Sequence, residues 1–345
     1  MSALDLPLIW AGLIALAVLM YVLLDGFDLG IGILFPFSRS AADRDVMMNT
    51  VAPVWDGNET WLILGGGGLL AAFPTAYAVL MPALYLPVLL MLVALILRGV
   101  AFEFRFRARR RGRAFWTVMF WLGSTFAAFG QGLILGGFIQ GVRVSADGTR
   151  FAGGPFDWLS PYTLLVACGL VAGYALLGAT WLMMKTERDL HGDARRWTWG
   201  AGALVGLLLL AVSVATLFVH PTIAERWGVK PGGIDFGQLA VLSPIPLLGL
   251  AGMIVVALGV RSGSHRLPFA GALMLFLSGY LGLGVGFAPY TVPYALSYRE
   301  TAAPDNALAL MLVGTVVALP LILGYTAWVY WVFRGKVTEE AGYHH

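Results

Sequence analysis

The chain has 345 residues, 59% of them hydrophobic and 12% charged, with a mean hydropathy of +0.80 and a formal net charge of +3. Soluble domains carry about 25% charged and about 45–50% apolar residues, so this composition excludes a water-soluble globular protein and identifies an integral membrane protein. A single cysteine, Cys168, excludes a disulfide framework and any multi-cysteine zinc or iron–sulfur site.

In chain order, nine apolar segments are predicted, over 6–35, 51–73, 76–99, 115–139, 161–184, 199–219, 236–260, 267–288 and 307–333. Each is long enough to cross about 30 Å of hydrocarbon at 1.5 Å per residue. Their apolar character does not alternate with period two, which argues against a membrane barrel. The expected fold class is therefore an all-α polytopic protein of nine transmembrane helices, forming one membrane domain over 1–345. The N-terminus lacks a basic flank and a cleavage pattern, so the first segment reads as a retained span. Pro74 and Thr75 leave only a very short connection between the second and third spans. The longer loops, 140–160 and 220–235, are rich in Gly and Pro and have room only for small elements.

With the N-terminus outside, 17 of the 22 Lys and Arg residues fall on inward-facing pieces. This bias predicts an N-out, C-in topology with an odd number of crossings. The basic run 105–113, with Phe104 and Phe106 interleaved, reads as a topology anchor beside anionic lipid rather than a nucleic-acid site.

Acidic residues within spans carry the functional signal, because each costs about 2.5–3.5 kcal/mol at a helix centre on insertion scales. Asp25 and Asp28 are three apart on one helix face, as are Asp56 and Glu59. The topology places these four, with Arg98 and Glu103, toward the cytoplasmic ends of three different helices. One reading is a hydrated proton path. The alternatives are local: Asp56 and Glu59 complement a helix dipole, Glu103 pairs with Arg107, and Asp25 and Asp28 cap a break at Gly26.

The histidines sit elsewhere. His191 and His265 fall in inner loops, His220 at an outer helix end, and His344 and His345 in the tail. With no histidine inside a span, a haem held by this chain alone is not expected, and none of the 12 methionines offers an evident axial partner. Gly65–Gly68, Gly132 with Gly136, Gly137 with Gly141, and Gly282, Gly284 and Gly286 put small faces on helices, read first as packing surfaces. Most of the 12 Trp are read as interfacial anchors, with Trp55 and Trp61 flanking the acidic turn. No phosphate-binding loop, nucleophile elbow or zinc-protease pattern occurs.

Asp25-Gly26-Phe27-Asp28-Leu29-Gly30, followed by Asn49, Pro53 and Trp55-Asp56-Gly57-Asn58-Glu59-Thr60-Trp61-Leu62, resembles subunit II of cytochrome bd-type quinol oxidases. Arg98-Gly99-Val100-Ala101-Phe102-Glu103-Phe104-Arg105, Gln131-Gly132, Gln140-Gly141-Val142, Phe287-Ala288-Pro289-Tyr290 with Pro293, and Tyr330-Trp331-Val332-Phe333-Arg334-Gly335-Lys336 extend the resemblance to the tail. Glu59 and the overall wording are most similar to the cyanide-insensitive branch. The resemblance implies nine helices arranged as two four-helix bundles plus a peripheral helix. It implies a partner, subunit I, carrying haem b and haem d and the quinol-oxidising loop, and also membrane lipid and a small single-span accessory subunit. Some members bind a quinone in subunit II, so the resemblance extends to a structural quinone, for which no residue here fixes a head-group site.

By the family pattern Asp25, Asp56 and Glu103 map onto acidic positions of a proton route from the cytoplasm, with Asp28 beside them and Trp55, Asn58, Glu59 and Arg98 in support. Glu59 and Glu103 stand where many relatives have Gln or Asp. The leading expectation is a non-catalytic subunit of a terminal oxidase that couples quinol oxidation to reduction of oxygen to water. A proton- or cation-coupled secondary transporter and a purely structural assembly subunit are the alternatives. Against the transporter, no internal repeat is visible and the acids lie off the midplane.

Overall fold

The computed structural model describes residues 4–337. The first helix, α1 (Leu6–Leu34), is capped by the Asp5 carboxylate, which accepts from Leu8 N, and ends in a short 3-10 turn, Phe35–Phe37. The connection that follows carries α2 (Ala41–Asn49), capped by Ser40. Then come α3 (Trp55–Ala72), α4 (Pro74–Ala83), α5 (Tyr85–Arg107), α6 (Arg110–Gln140), α7 (Pro161–Lys185) and α8 (Arg188–Val219). The opposite rim holds α9 (Pro221–Arg226), a two-stranded hairpin of β1 (Val229–Lys230) and β2 (Gly233–Ile234), and α10 (Phe236–Leu242). The chain continues through α11 (Pro244–Ser262), α12 (Leu267–Phe287), the antiparallel pair β3 (Tyr290–Val292) and β4 (Leu296–Ser297), α13 (Tyr298–Thr301) and α14 (Asp305–Val332).

Eight of these helices, α1, α5, α6, α7, α8, α11, α12 and α14, are long and apolar enough to cross a membrane. The ninth expected span corresponds to α3, whose first turns spend Asp56, Asn58 and Glu59 on polar groups. This helix nevertheless lies antiparallel along α1. Asn58 bonds Leu24 and Asp28, Gly68 faces Ile14, and Ala72 and Phe73 cluster with Leu6 and Trp10.

Two expected boundaries move. The return after α3 is not made at Pro74 and Thr75, because Pro74, with its preset φ, starts α4. That helix packs Ala76, Val79 and Leu80 across Leu6 and Trp10, and α5 begins only after Leu84. The segment predicted over 236–260 is likewise divided at Ser243 into α10 and α11, with Pro244 opening the second helix.

Close helix crossings rest on glycine. A Cβ on Gly178 of α7 would lie 2.7 Å from Ile31 N, and α1 touches it there through Gly30. The Asp25-to-Gly30 motif thus supplies a small-residue contact, Gly26 and Gly30 four apart, on the side of α1 that meets α7. Gly132 and Gly136 press on α7 as a packing face, whereas a Cβ added at Gly66, Gly67, Gly284 or Gly286 would meet open space. The main core gathers Phe27, Tyr174, Trp181 and Phe120 between α1, α6 and α7. Polar contacts mark the two rims. Asp5–Arg299 and Lys230–Asp235 lie at one end, while Arg39–Asp193, Arg105–Asp45 and Lys336–Glu187 lie at the other.

Candidate functional site

Toward the end of the bundle where α14 finishes, α1 carries Asp25 and Asp28 with no solvent exposure at all. Asp25 Oδ1 accepts a hydrogen bond from Arg98 Nη1 of α5 at 3.2 Å, and that guanidinium is itself completely buried. Arg98 Nη1 also lies 3.5 Å from Glu59 Oε2 of α3, whose side chain is 26% exposed and so reaches the chain's surface. The Trp55 ring sits 5.9 Å from Arg98 Cζ and stacks on Phe102. Gly123 of α6 lets this arrangement close, since a Cβ there would fall 2.8 Å from Arg98 N.

Asp28 has a different partner. Asn58 Nδ2 donates to Asp28 Oδ2 at 2.8 Å and to Leu24 O at 3.3 Å, while Asn58 Oδ1 accepts from Tyr330 OH of α14 at 2.8 Å. One turn from Asp25, Tyr21 OH accepts from Gln131 Nε2 at 2.6 Å, and Gln131 Oε1 accepts from Tyr174 OH at 2.8 Å. Side chains from α1, α3, α5, α6, α7 and α14 therefore meet in one buried polar cluster.

Its electrostatics are unusual for a structural pair. One guanidinium faces three carboxyl groups, an imbalance that exchangeable protons can balance. Asp25 Oδ2, Asp28 Oδ1, Arg98 Nε and Arg98 Nη2 have no protein hydrogen-bond partner. A buried polar atom left unmet costs about 1–3 kcal/mol, more when charged, so groups of this kind are ordinarily met by water. The arrangement has the chemistry of a site that holds and passes protons.

The predicted residues divide sharply. Asp25, Asp28, Asn58, Glu59, Arg98 and Trp55 come together, whereas Asp56 and Glu103 lie exposed on the chain's surface. The expected convergence of all five acids is corrected accordingly. Glu59, read only as support, supplies the third carboxylate. Tyr330, Tyr21 and Tyr174 were missed as participants. Tyr330 at a helix end reads as an interfacial anchor, Tyr21 and Tyr174 in mid-helix read as core, and nothing local reveals a partner on another helix.

The described histidines lie at helix ends and not within the bundle. His191 and His265 direct Nδ1 at the same Met183 carbonyl, at 3.0 and 3.1 Å. A carbonyl only accepts, so both Nδ1 atoms donate. His220 stacks on Tyr294 at the other rim, beside a cavity of about 420 Å³. Burial lowers its pKa from the usual imidazole range. His344 and His345 lie outside the described residues.

The sequence matches the family model described as cytochrome bd terminal oxidase subunit II over residues 6–333. Cytochrome bd-I ubiquinol oxidase subunit 2 of Escherichia coli (strain K12) is 29% identical over 364 residues, covering 97% of this chain and 96% of that protein. Cytochrome bd ubiquinol oxidase subunit 2 of Bacillus subtilis (strain 168) is 26% identical over 340 residues, covering 96% and 97%. Among solved structures, bd oxidase from Geobacillus thermodenitrificans has a chain with a TM-score of 0.77 at 17% identity, covering 96% of this chain and 99% of that one.

Proposed function

This chain belongs to the cytochrome bd terminal oxidase subunit II family, and from that premise we propose that its buried acid cluster carries protons taken up for oxygen reduction. The protein is an inner-membrane subunit of a quinol oxidase, and the transporter and purely structural readings are not favoured. The observation that carries the proton route is the excess of carboxylate over cation at Asp25, Asp28, Glu59 and Arg98, with four charged atoms unpartnered in the buried interior.

In this reading α3 is the ninth span, in line with its antiparallel course along α1, and the helices form two four-helix bundles with α14 peripheral. The N-terminus is outside and the described tail inside, as the basic bias supports. Reporter fusions after Lys336 should report the cytoplasmic side, and an external tail would refute the span count. Subunit I carries haems b and d. Lipid, a small single-span accessory subunit and a structural quinone complete the assembly.

Protons enter past Asp56 and Glu103 at the chain's surface, pass Glu59, and reach Asp25 and Asp28. Arg98 offsets the negative charge of whichever carboxyl is ionised at a given moment, and Asn58 orients Asp28. The bulk of Trp55 and Phe102 excludes free water from one side of the pair. Asp28→Asn keeps the volume and removes the exchangeable proton. The purified complex should retain its haem and lose most of its quinol-driven oxygen consumption per haem. Normal turnover in that variant would sink the route.

A further inference from the structure

The helix α14 is poorly packed along its length, with Val313, Val316, Val317 and Leu321 all more than 60% exposed. Polar pins hold it instead. Near the outer rim Trp10 Nε1 donates to Leu308 O at 3.0 Å. At the inner end Lys185 Nζ donates to the carbonyls of Phe333 and Gly335, and Val337 N donates to Lys185 O at 2.9 Å. The remaining inner pin is Tyr330, lodged edge-on against Phe27 and Trp181, with its hydroxyl on Asn58 Oδ1. Unlike the others, this pin ends on a residue of the buried polar cluster, the Asn58 amide that bonds Asp28.

We infer that Tyr330 is a positioning residue for proton transfer: from the inner end of α14 it fixes the Asn58 amide and, through that amide, the oxygens of Asp28. The inference rests on the proton route above. Its physical basis is directional. The Asn58 Nδ2 atom can donate to both acceptors, Asp28 Oδ2 and Leu24 O, only if Oδ1 faces the other way. The Leu24 carbonyl, which only accepts, sets that orientation, and the Tyr330 hydroxyl donates to Oδ1 and anchors the amide in it. A flipped amide would turn a carbonyl oxygen toward the Asp28 carboxylate and lose both bonds. The charged groups around Asp28 are Asp25 on its own helix, Arg98 from α5 and Glu59 from α3. The only α14 group to act on it is the Tyr330 hydroxyl, through Asn58.

The inference predicts that α14, peripheral by packing, has a direct effect on the rate of proton delivery. In the purified complex, Tyr330→Phe preserves the ring packing and removes one donor. Its kcat for quinol oxidation should fall roughly three- to tenfold, the range set by one net hydrogen bond. The KM for quinol should not change, and the solvent deuterium isotope effect on kcat should rise as proton delivery becomes limiting. Asn58→Leu should reproduce the loss from the middle of the chain. Trp10→Phe removes the outer pin of the same helix and should leave kcat and the isotope effect unchanged.

An unchanged kcat and isotope effect in Tyr330→Phe, where Asp28→Asn has lost turnover, would overturn the inference and leave the route standing. Equal losses in Trp10→Phe and Tyr330→Phe would also overturn it, because they would show only a loosened helix. Full turnover in Asp28→Asn would remove the route and the inference together.

Discussion

Two arginines on α5, seven residues or about 10 Å apart along the helix, are buried to the same degree and do opposite things. Arg105 is held from several sides: Nε donates to Thr117 Oγ1 at 2.9 Å, Nη1 to Asp45 Oδ1 at 2.7 Å, and the guanidinium lies over the Phe35 ring. Asp45 is 30% exposed and shared with Arg113, so its charge is met by two cations and by solvent. The result ties α2 to the end of α5 and the start of α6. Arg98 has one hydrogen bond, at 3.2 Å, two unpartnered nitrogens and three carboxyl groups nearby. Burial alone therefore does not separate a structural ion pair from a working one. Saturation does. Where no buried donor is left unmet the group holds elements together, and where charges outnumber partners the site has room for a proton.

The largest expected effect tests that distinction directly. Arg98→Met leaves the carboxylates of a sealed cluster without their cation, and removing one partner of a buried pair costs about 3–5 kcal/mol. The complex should assemble poorly, with reduced haem content, and Asp25→Asn in the same chain should restore part of the yield. Arg105→Met leaves Asp45 with Arg113 and partial solvent contact, so its cost should be about 1–3 kcal/mol. That variant should assemble with a modestly lower apparent Tm and unchanged turnover per haem. A larger assembly defect from Arg105→Met than from Arg98→Met would break the comparison.

The acids offer a second, smaller contrast. Asp56 is exposed in the first turn of α3, where its charge complements the helix dipole by about 0.3–1 kcal/mol, a small loss when Asn replaces it. Asp56→Asn should therefore reduce oxygen consumption per haem less than Asp28→Asn, and Glu103→Gln less again. Equal losses at the exposed and buried acids would mean that surface entry, and not the sealed cluster, limits uptake.

Much of this was legible in the sequence, and the failures have physical causes. Apolar length located eight helices long and apolar enough to cross a membrane, because length and hydropathy are properties of local composition. Depth along each helix was also readable, so Asp25, Asp28, Asp56, Glu59, Arg98 and Glu103 were placed at one end correctly. Azimuth was not. At about 100° per residue, Asp56 and Glu59 differ by about 60° around α3, and the edge of the buried face falls between them. Glu103 is five residues beyond Arg98, about 140° round α5, and so turns away from the cluster. The Asp25–Arg98 and Asn58–Tyr330 contacts join residues 73 and 272 positions apart, which no local pattern encodes. The helix α4 was hidden for another reason: an apolar run with Pro74 at its head reads as the start of a span until its packing across Leu6 and Trp10 is seen.

The smallest effect belongs at the opposite rim, where a titratable group is neutral by design of its contacts. His220 Nδ1 accepts from Thr222 N at 3.3 Å, which puts the proton of the neutral ring on Nε2, and the ring lies flat on Tyr294 at 3.7 Å. Burial lowers its pKa below the ordinary value of about 6.5. The unfolded chain then binds the proton more readily than the folded one. Stability from this group is therefore fully present above about pH 6.5 and is lost as pH falls through the depressed folded value. Because the ring is only partly buried, the change should be of the order of one degree in apparent Tm between pH 7.5 and pH 5. His220→Phe keeps the stack, gives up the cap and removes the titration. Its Tm should be slightly lower at pH 7.5, and the component of the pH dependence due to this rim should vanish. A variant whose Tm falls as steeply with acid as the parent's would show that acid sensitivity comes from elsewhere, and the carboxyl cluster, where charge is unsaturated, would be the next place to test.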